Sequence, residues 1–236
     1  MIPKKIHYCW FGGARLPSYV SSCIESWKRF CPDYEIICWD ESNFDVSVHS
    51  FTKRAYEAKA WAFVSDYARL KIIYDHGGVY LDTDVELLRS LDPLLDNLCY
   101  MGVQQSDRLC TTGLGFGAVV KSSVVRNLLK KYNSIEFDAS RTSEIVCPSI
   151  NNEVLEDMGY RYSENIVRLE SVTVYPCRFF DPIAPGQDST NLLSSDSISI
   201  HHYGNSWGTM SSRLRRKLIN FIGVTRVAEL KRLIYG

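Results

Sequence analysis

The feature that most restricts what this chain can fold into lies between residues 52 and 84 of its 236. Helical spacing runs from about Thr52 to His76 and stops at Gly77-Gly78, which lead into Val79-Tyr80-Leu81 and then Asp82-Thr83-Asp84. A glycine pair after a periodic stretch ends a helix, because glycine enters left-handed backbone without steric cost. The three apolar residues that follow read as a short buried strand. A helix turned tightly into a buried strand that ends in acids belongs in a layered α/β domain.

The remaining pattern agrees. Lys5 to Cys9 reads as a strand followed by a Trp-Phe-Gly-Gly turn, Pro17 to Phe30 as a helix and Tyr34 to Trp39 as a second strand. Further strands are expected near Cys99–Val103, Leu114–Val120 and Ser197–His202, with a helix near Ser122–Tyr132. Strands alternating with helices predict a mainly parallel sheet. No repeat or linker divides the chain, so a single domain over 1–210 is expected, followed by a basic amphipathic helical tail over 211–236. Eight cysteines are scattered without a C-x-x-C pair and read as free core thiols. No apolar run approaches the ~18 residues of a spanning helix, and no apolar leader follows Met1. The expected location is the cytoplasm.

Charge separates the tail from the body. Lys and Arg total 27 against 27 Asp and Glu, but residues 211–236 hold seven cations against one anion, Glu229. The tail therefore carries +6 and the body −6. An acidic body argues against nucleic-acid binding. In the tail, Leu214, Leu218, Phe221 and Ile222 form an apolar stripe interleaved with Arg213, Arg215, Arg216 and Lys217. That pattern suits an anionic membrane surface.

Asp82 and Asp84 are spaced to face the same side at a strand's end. Two carboxylates forced together repel unless a cation lies between them, and hard oxygen ligands suit Mg²⁺ or Mn²⁺. A calcium loop starting at Asp82 is excluded, since Leu87 falls where its glycine belongs and Pro93 where its bidentate Glu belongs. On the preceding helix Ala62, Asp66, Arg69 and Ile73 share one stripe. Asp66 and Arg69 thus interrupt a row that is apolar at both ends, which predicts a partly buried ion pair.

These segments resemble the DXD-containing glycosyltransferases of family 32, a group related to the glucosylating clostridial toxins. The resemblance rests on Ile6-His7-Tyr8-Cys9-Trp10-Phe11-Gly12-Gly13, on the block from Ser65 to Asp84, and on His202-Tyr203-Gly204-Asn205-Ser206-Trp207. It implies a GT-A type domain that binds a nucleotide sugar. Trp10 would stack on the base and Tyr80 lie beside the nucleotide. Asp66 and Arg69 would orient the sugar, and Thr112-Gly113 would line its pocket. Asp82 would touch ribose and metal, Asp84 would ligate the Mn²⁺ or Mg²⁺ ion directly, and Trp207 would donate to the β-phosphate. His202 and Asn205 stand where the toxins carry further metal-side ligands, and one of His201 and His202 is expected to face the site.

The resemblance further implies a retaining transfer of a hexose or N-acetylhexosamine from a UDP-sugar to a glycan or lipid-linked oligosaccharide, with no protein nucleophile. The alternatives are a GDP-mannose-dependent α-mannosyltransferase and a non-catalytic sugar-nucleotide binder. Gln104, Gln105, Ser149 and Asn151 are candidates for the acceptor cleft. Two competing motifs fail. Gly204-Asn205-Ser206-Trp207-Gly208 fits a nucleophile elbow, but no Asp or His follows Ser206. Gly113 to Ala118 fits a dinucleotide fingerprint, but the residues before it are polar rather than strand-like.

Overall fold

The computed structural model describes residues 1–185 and 189–204. Its strands are β1 (Lys5–Cys9), β2 (Glu35–Trp39), β3 (Gly78–Tyr80), β4 (Val85–Leu87), β5 (Cys99–Val103), β6 (Cys110–Thr111), β7 (Phe116–Ala118), β8 (Val167–Arg168), β9 (Thr173–Tyr175) and β10 (Ser199–His201). The helices are α1 (Ser18–Phe30), α2 (Ser50–Glu57), α3 (Trp61–His76), α4 (Ser123–Tyr132), α5 (Cys147–Asp157) and α6 (Cys177–Phe180). The main sheet has the order β2-β1-β3-β7-β5-β9-β8, with β6 beside β5, while β4 and β10 form a separate antiparallel ribbon.

The glycine pair sets the turn from α3 into β3. Gly77 takes φ 63°, and its N–H caps the helix on the Ile73 carbonyl. Gly78 takes φ 101°, and a Cβ there would lie 2.9 Å from both His7 Nε2 and the Lys5 carbonyl. Only glycine lets β3 lie this close to β1. β1 pairs in parallel with both β2 and β3, in the register Ile6↔Val79 and His7↔Tyr80. Their carboxyl ends therefore open on the same edge, where α/β sheets gather ligands.

The sheet is mixed. β1, β2, β3, β5 and β9 share one direction, and β6, β7 and β8 oppose it. The N-terminal half is thus parallel as expected, while the short turns around β5 to β7 permit antiparallel neighbours. Gly113 to Ala118 leads from β6 into β7 rather than into a helix, which removes the dinucleotide reading.

Pleating splits successive β1 residues between two cores. Cys9 and Phe11 join Val64, Ile73, Val124 and Leu128 on one face, while Ile6, Tyr8 and Trp10 join Val20, Ile24, Trp27 and Val85 on the other. Helix α1 buries Val20, Cys23, Ile24 and Trp27, spaced at i, i+3, i+4 and i+7. Its Trp27 Nε1 donates to the Val85 carbonyl at 2.7 Å, and its Ser26 Oγ accepts from Leu87 N at 2.9 Å. Those bonds fix β4, and with it the chain leaving Asp84.

The continuous helix expected over Thr52–His76 is two helices. The break falls at 58–60, where Lys59 adopts φ 56° and the Ala60 N–H returns to the Ala55 carbonyl. No glycine or proline marks it. The break sets Trp61 at the start of α3 with its ring against Gly12, so tertiary packing overrides good local helix propensity. Among the described residues all eight cysteines are free, and no helix is long and apolar enough to cross a membrane. The tail and the expected boundary at 210/211 lie outside the described residues.

Candidate active site

The site forms where β3 ends and the β4–β10 ribbon begins. Strand β3 stops at Tyr80, and a turn closed by Val85 N to the Asp82 carbonyl at 3.0 Å carries both acids. Asp82, Asp84 and His201 each present a ligand atom, and all three atoms lie within 4.8 Å of one another. His201 enters from β10, whose antiparallel register sets it opposite Val85.

Arg69 links this cluster to α3. Its Nη2 lies 3.0 Å from Asp66 Oδ1 and 3.3 Å from Asp82 Oδ1, and its Nε donates to the Ser65 carbonyl at 3.1 Å. The guanidinium side chain is only 5% exposed, so the expected buried pair is present and extends to a third residue. Tyr80 completes it: the hydroxyl donates to Asp82 Oδ1 at 3.1 Å, and Arg69 lies over the ring at 4.8 Å. Three carboxylates against one guanidinium leave the centre about two charges negative, which suits a divalent cation.

The carboxylates are tuned differently. Burial raises Asp66 to about 6, against the opposing pull of Arg69. Burial also pushes Asp82 upward, with Arg69 again opposing. Asp84 is buried too, yet it falls to about 2 because His201 and the Gly204 N–H stabilise its charge. His201 Nε2 lies 3.1 Å from Asp84 Oδ1, and Gly204 N donates to Oδ2 at 2.7 Å. His201 itself moves upward despite its burial, chiefly through Asp84.

Two carboxylates and one imidazole form a donor set for Mn²⁺ or Mg²⁺, and the buried His201 Nδ1 has no hydrogen-bond partner among the described residues. The residues present fit a divalent ion.

Several expected residues are placed differently. His202 points away from the acids: it is exposed and its Nε2 lies 2.8 Å from Glu86 Oε2. Strand pleating puts neighbouring side chains on opposite faces, so only one of the two histidines can face Asp84, and it is His201. His202 instead contributes its backbone N–H to the Asp84 carbonyl at 2.9 Å. Tyr80 is 1% exposed, so it serves Asp82 rather than presenting an open face to a nucleotide. Trp10 sits at the carboxyl end of β1 as expected, but it is 7% exposed and its indole N–H donates to the Ala14 carbonyl, so it is buried rather than open to a base.

Thr112 is buried, with Oγ1 3.1 Å from Cys147 Sγ rather than open to the pocket. Gly113 does belong to the site, since a Cβ there would lie 2.5 Å from Asp82 Oδ2. Asn151 is fully buried with its amide on Cys147 and is not open to an acceptor, while half-buried Gln105 donates its backbone N–H to Asp181. Asn205 and Trp207 lie outside the described residues. Sequence spacing did not reveal Asp181, Tyr203 or the Gly204 N–H, because these partners lie far along the chain from the acid pair.

Comparison with known proteins matches this geometry. Residues 17–101, which include Asp66, Arg69, Asp82 and Asp84, match the family described as the glycosyltransferase sugar-binding region containing a DXD motif. The inositol phosphoceramide mannosyltransferase 3 of Schizosaccharomyces pombe is 33% identical over 136 residues, covering 54% of this chain and 37% of that protein. A second mannosyltransferase of that yeast, inositol phosphoceramide mannosyltransferase 1, is 31% identical over 111 residues. The chain spans 37% and 33% of the lengths of these two relatives. An uncharacterized glycosyltransferase of Acanthamoeba polyphaga mimivirus is 23% identical over 202 residues, 77% of this chain and 76% of its own. Among solved structures, the PaToxG glycosyltransferase aligns with a TM-score of 0.50 at 14% identity, covering 66% of this chain and 68% of its own, a likeness of fold. The α/β layering with its mixed sheet is the GT-A type. With the acid pair just after β3 and the buried Asp66–Arg69 pair beneath it, residues 17–101 are similar to the sugar-binding region of the DXD-containing glycosyltransferases.

Proposed function

We propose that this protein transfers a hexose or N-acetylhexosamine from a UDP-sugar to a glycan or lipid-linked acceptor, with retention of configuration. The observation that carries the reading is the continuous arrangement Asp66–Arg69–Asp82 beside Asp84–His201, a sugar-orienting pair joined directly to a cation-binding acid pair.

The roles follow from charge and geometry. Asp82, Asp84 and His201 would hold Mn²⁺ or Mg²⁺, which when bound neutralises charge on a departing diphosphate. Asp66, ionised above about pH 6, accepts hydrogen bonds from sugar hydroxyls. Arg69 fixes that carboxylate and Asp82 in one geometry, so the donor meets a preformed frame. In the transfer, the bond from the acceptor oxygen to the anomeric carbon forms as the bond to phosphate breaks. The acceptor's proton passes to the leaving phosphate oxygen, so no protein nucleophile is needed. Trp10 would lie beside the base, and Trp207 would offer an indole N–H to the β-phosphate.

The yeast relatives favour a second reading, mannosyl transfer from GDP-mannose to an inositol-bearing lipid. Donor hydrolysis with Mn²⁺ across UDP-glucose, UDP-galactose, their N-acetyl forms and GDP-mannose separates the two. Turnover of a UDP-sugar, lost in Asp84→Ala, supports the first. Turnover of GDP-mannose alone replaces it with the second, and no turnover of any donor leaves only a binding protein. Contact of residues 211–236 with anionic vesicles is a further part of the proposal, tested by co-sedimentation with and without that segment.

A further inference from the structure

His201 is half-buried with Nε2 on Asp84, while its buried Nδ1 has no partner among the described residues. Asp181 is fully buried and shows the complementary defect. Its Oδ2 accepts from the Tyr203 hydroxyl at 2.6 Å and from the Gln105 N–H at 2.7 Å, yet its Oδ1 has no partner among the described residues. A buried donor-capable nitrogen and a buried acceptor oxygen are each costly when left unpaired.

The backbone runs their two segments side by side. Residues 178–180 run beside 197–199: Ser197 Oγ donates to the Arg178 carbonyl at 2.7 Å, Ile198 N to Phe179 O at 2.7 Å, and Ser199 Oγ to Phe180 O at 3.5 Å. Continuing that run places Asp181 beside the end of β10. Tyr203 joins both groups, with its ring 4.2 Å from the His201 ring and its hydroxyl on Asp181.

We infer that Asp181 is the positioning carboxylate for His201: the two atoms are not bonded to one another in the structure, and when a divalent cation binds beside Asp84 the Asp181 carboxylate turns so that Oδ1 accepts the Nδ1–H, leaving the Nε2 lone pair free for the cation. The inference rests on the metal site proposed above. A ligating histidine ordinarily donates its other ring N–H to a carboxylate or carbonyl, which fixes tautomer and ring orientation. Without that anchor, Nε2 can keep its proton and donate to Asp84, a state that cannot ligate. Tyr203 and Gln105 both bond to Oδ2, which leaves Oδ1 available to a further donor.

Asp181→Asn tests this specifically. The two donors retain the amide oxygen at the Oδ2 position, so the NH₂ faces His201 and imposes the wrong tautomer. Binding of Mn²⁺ alone to the full chain, followed by the loss of the free-ion resonance, should weaken about 10- to 100-fold, with far-UV circular dichroism unchanged. His201→Ala should weaken it at least as much. Nitrogen-15 spectra of the histidine-labelled wild type with Mg²⁺ should show His201 protonated at Nδ1. If His201→Ala weakens binding and Asp181→Asn does not, Asp181 only anchors Tyr203 and Gln105, and the inference fails by itself. If His201→Ala leaves binding unchanged, the metal site fails and takes the inference with it. Should Asp181→Asn not fold, the wild-type spectrum decides: a proton on Nε2 with Mg²⁺ bound overturns the proposal.

Discussion

Two histidines, His7 buried in the main sheet and His201 half-buried in the β4–β10 ribbon, are nearly opposite in what their surroundings provide. His7 Nε2 lies 2.9 Å from the Gly77 carbonyl, and Trp39 Nε1 donates to its Nδ1 at 3.0 Å. Both ring nitrogens are partnered, the tautomer is fixed, and burial lowers the pKa to about 4. His201 has one nitrogen on a carboxylate and one without a partner, and its affinity for protons rises. A completed set of bonds marks a residue that holds the fold, whereas an incomplete one marks a place prepared for something else.

Four measurements bear on that contrast. The largest effect is expected from Asp84→Ala, which removes the group that His201 faces. Donor hydrolysis with Mn²⁺ should fall about a thousandfold or more, as for loss of a main electrostatic stabiliser. A loss of tenfold or less would show that Asp84 does not hold the ion.

Gly113→Ala comes next, since the new Cβ would meet Asp82 Oδ2 at 2.5 Å. Displacing that carboxylate should lower kcat/KM by about 10², while the melting transition falls by what overpacking costs, about 1–3 kcal/mol. Unchanged kinetics would place Asp82 outside the reaction.

The third measurement concerns His7. The unfolded chain takes up a proton near pH 6.5, whereas folded His7 does so only near 4. Between these values the unfolded state holds the extra proton, so the stability this residue supplies is complete above 6.5 and is lost as pH falls toward 4. The loss is about 3 kcal/mol. His7→Gln can keep both hydrogen bonds but cannot titrate, so urea midpoints from pH 7 to 4 should drop less in the variant. Equal drops would refute the assignment. The smallest effect is expected of His202→Ala: the His202 ring meets Glu86 at the exposed surface, so Mn²⁺ affinity should change less than about twofold.

Local signals in the sequence carried the first half of the site. Helix spacing with an interrupted stripe gave the Asp66–Arg69 pair, and the glycine pair gave the turn and the strand that present Asp82 and Asp84. The other half depends on contacts between distant segments. Period two along β10 showed that one of His201 and His202 must face inward, but counting back from Trp207 favoured His202, and only the pairing with β4 selects His201. Asp181 follows the four-residue helix α6 and carries no motif. Tyr80 and Trp10 were placed correctly along the chain, yet their burial depends on packing that no spacing describes. The helix break at Lys59 escaped notice for the same reason.

The span between Asp84 and His201 has a consequence for how the protein comes into being. These partners are 117 residues apart, and translation at ~5–20 residues per second separates their synthesis by roughly ten seconds. During that interval a nascent chain has its acid pair and Arg69 but lacks the imidazole, so Asp84 is without its His201 partner. Closure of the β4–β10 ribbon must await synthesis of residues 199–201, which makes it an entropically demanding long-range step. The Asp84–His201 contact therefore forms only once β10 is made, and a ribosome-stalled fragment ending before β10 should fold much of its main sheet without completing this cluster.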